Sequence, residues 1–140
     1  ETDEESQNYI RSVLDAYEQG TAAIWGITLM DDPKLIGIVG YELWFSDHHR
    51  AEIGYTLAHE HWGNGYATEA LRGAVNYGFS QLKLKRIEAT AQPGNTASWN
   101  VLEKVGFERE GFLKQFILSR KKYRDVYFYS IVYEDWERKH

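Results

Sequence analysis

Gly63 and Gly65 lie where a run of apolar and β-branched residues gives way to a helical pattern, and that placement is suited to binding an anion. Glycines there bring main-chain N–H groups close to a ligand and permit unusual φ values. The first turn of the following helix adds unsatisfied amides and a favourable dipole. From Thr68 the residues Leu71, Ala74, Val75, Gly78, Phe79 and Leu82 recur at the spacing of a buried helical stripe. The loop lacks the Gly-Lys-Ser/Thr ending of a nucleoside-triphosphate loop. Thr68 stands where a dinucleotide fingerprint needs its third glycine. Asn95 and Ser98 are one helical turn apart and can face one ligand, although Asn95 is equally suited to capping a helix. His59 and His61, at i, i+2 spacing in an extended segment, could point to one side, but no further ligand cluster accompanies them. No metal site is expected.

The elements that must carry these groups are legible as alternating patterns. Residues 24–30, Leu35–Phe45 and 51–57 are apolar, β-branched and aromatic runs separated by the polar turns 31–34 and 46–50. Three strands in meander form, then a loop and helix, predict an antiparallel sheet that changes to a helix-connected strand. Arg86–Ala91 reads as that strand. Pro93 and Gly94 turn the chain, a helix capped by Asn95 or Thr96 runs to Lys104, and Gly106 suits its end. Residues 107–118 and 123–133 predict a terminal hairpin joined across 119–122, with Trp136 closing the chain on the sheet. Near the start, Tyr9, Ile10, Val13, Leu14 and Tyr17 form the apolar face of a helix to about Gln19, which Gly20 can end.

Three blocks in this frame resemble the GNAT N-acetyltransferase superfamily, and more narrowly its RimJ/RimL-like branch. They are Ala51-Glu-Ile-Gly-Tyr55, Trp62-Gly-Asn-Gly-Tyr-Ala-Thr-Glu-Ala70, and Asn95-Thr-Ala-Ser98 with Glu103-Lys-Val-Gly-Phe107. The resemblance implies a single α/β (α+β) domain over residues 1–140, with a mixed, mostly antiparallel, bent sheet flanked by helices. The family has a first strand and helix that have no counterpart here, so the domain reads as N-terminally incomplete, leaving 24–30 as an exposed sheet edge.

The resemblance also implies acetyl-CoA as cosubstrate, without a metal. Its pyrophosphate would lie on the loop that maps onto the family's Gln/Arg-x-x-Gly-x-Gly/Ala pattern. The cofactor contacts so implied are Leu57, Ala58, Trp62, Gly63, Asn64, Gly65, Tyr66, Ala67 and Thr68, with Asn95 on the pantetheine arm and Ser98 near the sulfur. Trp62 replaces the usual Gln or Arg. Carbonyl polarisation would come from backbone N–H groups near Gly54 and Tyr55. Glu52, inside an otherwise apolar strand that the resemblance places beside the acyl group, is the candidate general base. Desolvation would raise its pKa; alternation of the strand could equally turn it to solvent. The tyrosine acid of many members is missing from Val101-Leu-Glu-Lys-Val-Gly-Phe107, which leaves Ser98 or water to serve the leaving thiolate. Where some members carry a carboxylate on the first hairpin strand, this chain has Phe116 and Ile117. Asp125 is a weaker candidate for an acceptor ammonium. The basic run 120–122 with Arg124 reads as a solvated hairpin tip near the acceptor entrance.

Composition bounds these expectations. The chain has 140 residues, 43% hydrophobic and 15% aromatic, enough for one real core. A net charge of −5, from 16 basic and 21 acidic residues, disfavours direct nucleic-acid binding. Without cysteine there is no disulfide, thiolate metal site or cysteine nucleophile. No apolar run is long enough to span a membrane, so a soluble cytoplasmic protein is expected. The acceptor is expected to be a primary amine, foremost a protein N-terminus such as that of a ribosomal protein. A small-molecule amine is the alternative, and a silent CoA-binding module the rival from another class. A homodimer is a candidate assembly.

Overall fold

A computed structural model describes residues 22–140; the helix expected to end near Gln19 lies outside the described residues. Three strands come first: β1 (Ala23–Thr28), β2 (Leu35–Phe45) and β3 (Arg50–Leu57). Helix α1 (Tyr66–Ser80) leads to β4 (Arg86–Ala91), and α2 (Thr96–Val105) leads to β5 (Glu108–Ser119) and β6 (Lys122–Val132). A short α3 (Tyr133–Arg138) follows. The sheet order is β1-β2-β3-β4-β6-β5, with only β3 and β4 parallel. The expected mixed, mostly antiparallel sheet is therefore present, and β1 forms an edge of it among the described residues. β1 stops at Thr28, two residues short of its apolar run, because Leu29 and Met30 enter a turn. There Asp32 Oδ1 accepts from the Lys34 amide at 3.0 Å.

The helices cover one face, and the core lies beneath them. Ala51 and Ile53 of β3, Ile87 and Ala89 of β4, and Tyr129 and Ile131 of β6 meet Leu71, Val75 and Phe79 of α1 and Leu102 of α2. The stripe read from the sequence is the buried one, although α1 starts at Tyr66 and ends at Ser80. Tyr41, fully buried on β2, donates its hydroxyl to the Ala74 carbonyl at 2.8 Å. A Cβ on Gly78 would stand 2.3 Å from that hydroxyl oxygen, so glycine lets α1 close on the sheet.

Local chemistry ends the other elements. Asn95 caps α2, and Gly106, at φ +116°, closes it. Its amide donates to Glu103 and the Phe107 amide to Leu102, a Schellman arrangement with Phe107 and Leu102 both buried. Arg120 and Lys121, both at positive φ, make the two-residue turn between β5 and β6.

Trp136 packs against the core through helix α1: its ring lies 5.2 Å from Phe79 and its Nε1 donates to Asn76 Oδ1 at 2.8 Å. One expectation is corrected. Arg124 is not part of a solvated tip, since its Nε is buried.

Candidate active site

β3 and β4 stay together for only three residue pairs, ending at Glu52↔Glu88. Beyond that point β3 follows β2 as far as Gly37↔Leu57, while β4 follows β6 to Ala91↔Tyr127. The strands thus part beneath the first turns of α1 and α2. Alternate main-chain groups of residues 53–57 open onto the gap instead of onto a neighbouring strand. The gap holds two joined clefts of about 460 and 290 Å³, and Tyr55, Thr56 and Ser98 line both.

The larger cleft runs to the loop before α1. Gly63 and Gly65 adopt φ +78° and +80°, and neither has an atom within 4 Å of where a Cβ would stand. The left-handed backbone, not crowding, calls for glycine at both. No side chain caps α1, and its first α-helical bond runs from the Glu69 amide to the Gly65 carbonyl at 3.0 Å. The amides of Tyr66, Ala67 and Thr68 therefore precede the helical ladder and share the positive end of the dipole. Trp62 holds this loop to the sheet: its Nε1 donates to the Leu57 carbonyl at 2.8 Å, and its ring lies 4.5 Å from His59.

Leu57, Trp62, Gly63, Gly65, Tyr66, Ala67, Thr68, Asn95 and Ser98 line this cleft, as the sequence led us to expect. Ala58 and Asn64 are not among the lining residues. The Ala58 amide is bonded to the Ile36 carbonyl at 2.8 Å, and Asn64 Nδ2 donates to the carbonyls of His61 and Trp62 at 3.3 and 3.2 Å. Lys104, Asn100 and His61 also line the cleft but were missed. Ala97, Val101 and Lys104 repeat at i, i+4, i+7 on α2, a helical face that could have been noticed.

The smaller cleft contains Glu52 with Glu42, Leu43 and Thr90. Alternation places Ala51 and Ile53 in the core and Glu52 on the opposite face, yet the parting of the strands gives its carboxyl access to the same gap as Ser98. Burial raises the Glu52 pKa above the usual carboxylate range, and the negative charges of Glu88 and Glu42 push the same way. Neighbouring cations are already engaged. Glu88, buried on β4, takes Arg50 at 3.0 Å and Arg86 at 2.7 Å, and Arg86 Nη1 also donates to Glu110 at 3.2 Å.

Asn95 is a helix cap: its Oδ1 accepts the Ser98 amide at 3.1 Å. Ser98 is different. Its side chain lines the gap together with the Tyr55 phenol, whose pKa burial raises and Ser98 lowers. Sequence reasoning considered Tyr55 only for its main chain, since nothing local to residues 51–57 tells which helix its ring will meet.

Three other candidates resolve differently. His59 and His61 sit in one 3-10 turn, not an extended segment, and the described residues contain no group of three potential metal ligands. Asp125 has a structural bond: its Oδ1 accepts the Gln115 amide at 2.9 Å within the bulge of β5, where Gln115 has φ +49°. Among the described residues no helix is long and apolar enough to cross a membrane.

The geometry can be set beside known proteins. A family model described as "Acetyltransferase (GNAT) domain" matches residues 1–108. The chain is 39% identical over 132 residues to the "Uncharacterized N-acetyltransferase YoaA" of Bacillus subtilis, covering 94% of this chain and 75% of that protein. It is 29% identical over 121 residues to the [ribosomal protein uS5]-alanine N-acetyltransferase of Escherichia coli, covering 86% of this chain and 62% of that one. Among solved structures, the ribosomal-protein-S5-alanine acetyltransferase of Vibrio fischeri superposes with a TM-score of 0.87 at 26% identity, covering 95% of this chain and 73% of that chain. RimJ of Mycobacterium smegmatis, solved with CoA-disulfide, gives 0.85 at 31% identity over 92% of this chain and 61% of that chain. The chain therefore belongs to the GNAT N-acetyltransferase family, in its RimJ/RimL-like branch.

Proposed function

We propose that this chain transfers the acetyl group of acetyl-CoA to the α-amino group of a protein N-terminus. The observation that carries this is the continuity of the two clefts: an amide-rich loop suited to a diphosphate leads, through the gap in the sheet, to a carboxyl with a raised pKa. The diphosphate would lie on residues 63–68 and the thioester beside Ser98. The amine would arrive from the Glu52 side.

The step balances with groups present. The neutral amine attacks the thioester carbon, the C–S bond breaks, and its electron pair goes to sulfur. The surplus proton on nitrogen passes to Glu52, directly or through a water, while Ser98 donates a hydrogen bond to the developing thiolate. Main-chain N–H groups of residues 53–57 can meet the carbonyl oxygen. An α-amine, with a reference pKa near ~8 against ~10.4 for lysine, asks less of such a base. The half-exposed Leu43 beside Glu52 offers the apolar contact that a peptide side chain would use. Two relatives are named as alanine acetyltransferases of a ribosomal protein, which supports the same acceptor class.

The test is release of CoA thiol from acetyl-CoA with a peptide bearing N-terminal alanine, against spermidine and against no acceptor. Peptide-dependent release with acetylation at the α-amine is expected. Faster release with spermidine would move the acceptor to small amines, and acceptor-independent or absent release would leave a CoA-binding module.

A further inference from the structure

We propose that Lys104 receives the ribose 3′-phosphate of CoA and so makes this enzyme select CoA thioesters over donors that lack that phosphate. This rests on the acetyl-CoA reading above and deepens it. The two clefts differ in the sign of their charge. Among the described lining residues, the smaller has the carboxyls of Glu42 and Glu52 and no cation. The larger has the Lys104 ammonium and the His61 imidazole and no carboxylate, in a chain with 21 acidic residues against 16 basic ones. Such a cleft favours a ligand with anionic charge beyond what the helix-start amides can meet.

The amides of residues 66–68 suit a diphosphate, and the acyl arm would leave them for the gap at Ser98. Lys104 lies the other way. It stands six residues past Ser98 on α2, about 9 Å further along the axis, and it lines only the larger cleft, whereas Ser98 lines both. Arg72, one turn beyond Thr68 on α1, donates its Nη2 to the Lys104 carbonyl at 3.3 Å. That bond holds the end of α2 beside the second turn of α1. The adenosine arm of a ligand whose diphosphate sits on the helix start can therefore turn toward Lys104.

The ammonium is free to receive it. Lys104 is exposed, and among the described residues its side chain has no hydrogen bond or ion pair, although Glu103 precedes it in sequence. Glu103 is engaged elsewhere: the Tyr129 hydroxyl donates to it at 2.7 Å and Arg109 lies 3.6 Å away. His61 already lies 3.7 Å from Glu60. Asn100, one turn before Lys104 on the same face of α2, adds a side-chain amide to the same wall. A phosphate monoester carries roughly one to two negative charges near neutral pH, and a flexible ammonium can meet it without a fixed bidentate geometry. Lys104 also stands in the last turn of α2, where its charge favours the helix dipole, a role that needs no ligand.

Calorimetry with CoA and 3′-dephospho-CoA separates the two roles. Wild type should bind CoA about 10-fold more tightly, the size of one charge-assisted hydrogen bond at an exposed site. Lys104→Met keeps the stem and the helix propensity, and it should abolish the preference by weakening CoA alone. Lys104→Arg should restore most of it. In turnover, Lys104→Met should raise KM for acetyl-CoA about 10-fold with kcat unchanged. Should Lys104→Met melt lower than wild type, Lys104→Gln reads the same preference. Equal weakening of both ligands by a folded variant, or a wild type that binds CoA and 3′-dephospho-CoA alike, overturns the role of Lys104 while leaving acetyl-CoA use intact. A wild type that binds neither overturns the acetyl-CoA reading itself.

Discussion

The two ends of the cleft are built from different materials. The end proposed for the diphosphate is one contiguous stretch, residues 62–68, whose chemistry resides in main-chain amides and in two glycines at positive φ. The end proposed for the acyl group is assembled from side chains on separate elements: Glu42 on β2, Glu52 and Tyr55 on β3, and Ser98 on α2, with Glu88 of β4 behind them. A main-chain site tolerates exchange of its side chains. Trp62, where the resembling family has Gln or Arg, turns its indole N–H to the Leu57 carbonyl and serves the loop's shape. A side-chain site has no such latitude, because each group carries its own share of the proton and charge handling. Substitutions should therefore separate affinity at one end from turnover at the other.

The largest separation should come from Thr68→Glu. A carboxylate in the first turn of α1 is favourable for the helix itself, so the melting temperature should hold or rise. The same charge would stand about 4 Å from a diphosphate, where like charges cost on the order of 4 kcal/mol at a partly exposed site. Affinity for CoA, read by calorimetry, should fall about 1,000-fold. Unchanged affinity would remove the diphosphate from this loop and dissolve the contrast between the two ends.

Glu52→Gln should act in the opposite sense, lowering kcat at least about 100-fold while CoA affinity is retained. Stability supplies a second readout. The folded-state pKa of Glu52 is raised, by burial first and then by Glu88 and Glu42, so the folded protein holds this proton more tightly than the unfolded chain does. Stability therefore falls as pH rises from the ordinary carboxylate pKa through the raised one, and ionised Glu52 is a cost above that window. Glutamine removes the cost, so the variant should melt higher than wild type at neutral pH and show no advantage in acid. Loss of turnover with a lower melting temperature at pH 7 would instead mark Glu52 as a structural residue.

The same division explains what the sequence could reveal. The loop was legible because glycines, a helical stripe and a strand end adjoin one another along the chain, and seven consecutive residues were enough to recognise it. The strands themselves were largely legible for the same reason, since each run is bounded by its own turn, whereas the place of β6 between β4 and β5 was not. Ser98 and Glu52 were found as residue types in suggestive blocks, but their relation was hidden. It depends on β3 and β4 parting after Glu52↔Glu88, a pairing between residues 36 apart in the chain. Tyr55 was invisible as a side chain for that reason. The bond from the Gln115 amide to Asp125 was hidden for the same reason, since it spans the bulge of β5 and joins two strands.

Ser98→Ala lies next in size. The lost donor matters most when sulfur carries charge, so kcat should fall about 10-fold, with little change in KM for acetyl-CoA. The helix should remain folded, since its cap is Asn95 and the bond there uses the Ser98 amide, not its hydroxyl. A drop in melting temperature large enough to explain the rate would return Ser98 to a helix-stabilising role.

The smallest effect is the most specific to the acyl end. Glu42 is exposed and lies where the β2–β3 register shifts, so replacing it should leave the fold intact. Its charge raises the Glu52 pKa, as does that of Glu88, but Glu88 is engaged by Arg50 and Arg86 and cannot be removed without stranding them. Glu42→Gln therefore isolates a pure field effect. With one negative neighbour gone, ionised Glu52 is easier to form, and the rising acidic limb of kcat/KM against pH should move to lower pH by a few tenths of a unit. On that limb the variant should outperform wild type, and on the plateau the two should nearly coincide. Because Glu42 faces water, added salt should shrink the displacement toward zero, whereas the part due to burial of Glu52 should persist. A limb that does not move at low ionic strength would mean that the titrating group is not Glu52, and a displacement that survives high salt would mean that Glu42 shapes the site by packing instead of by charge.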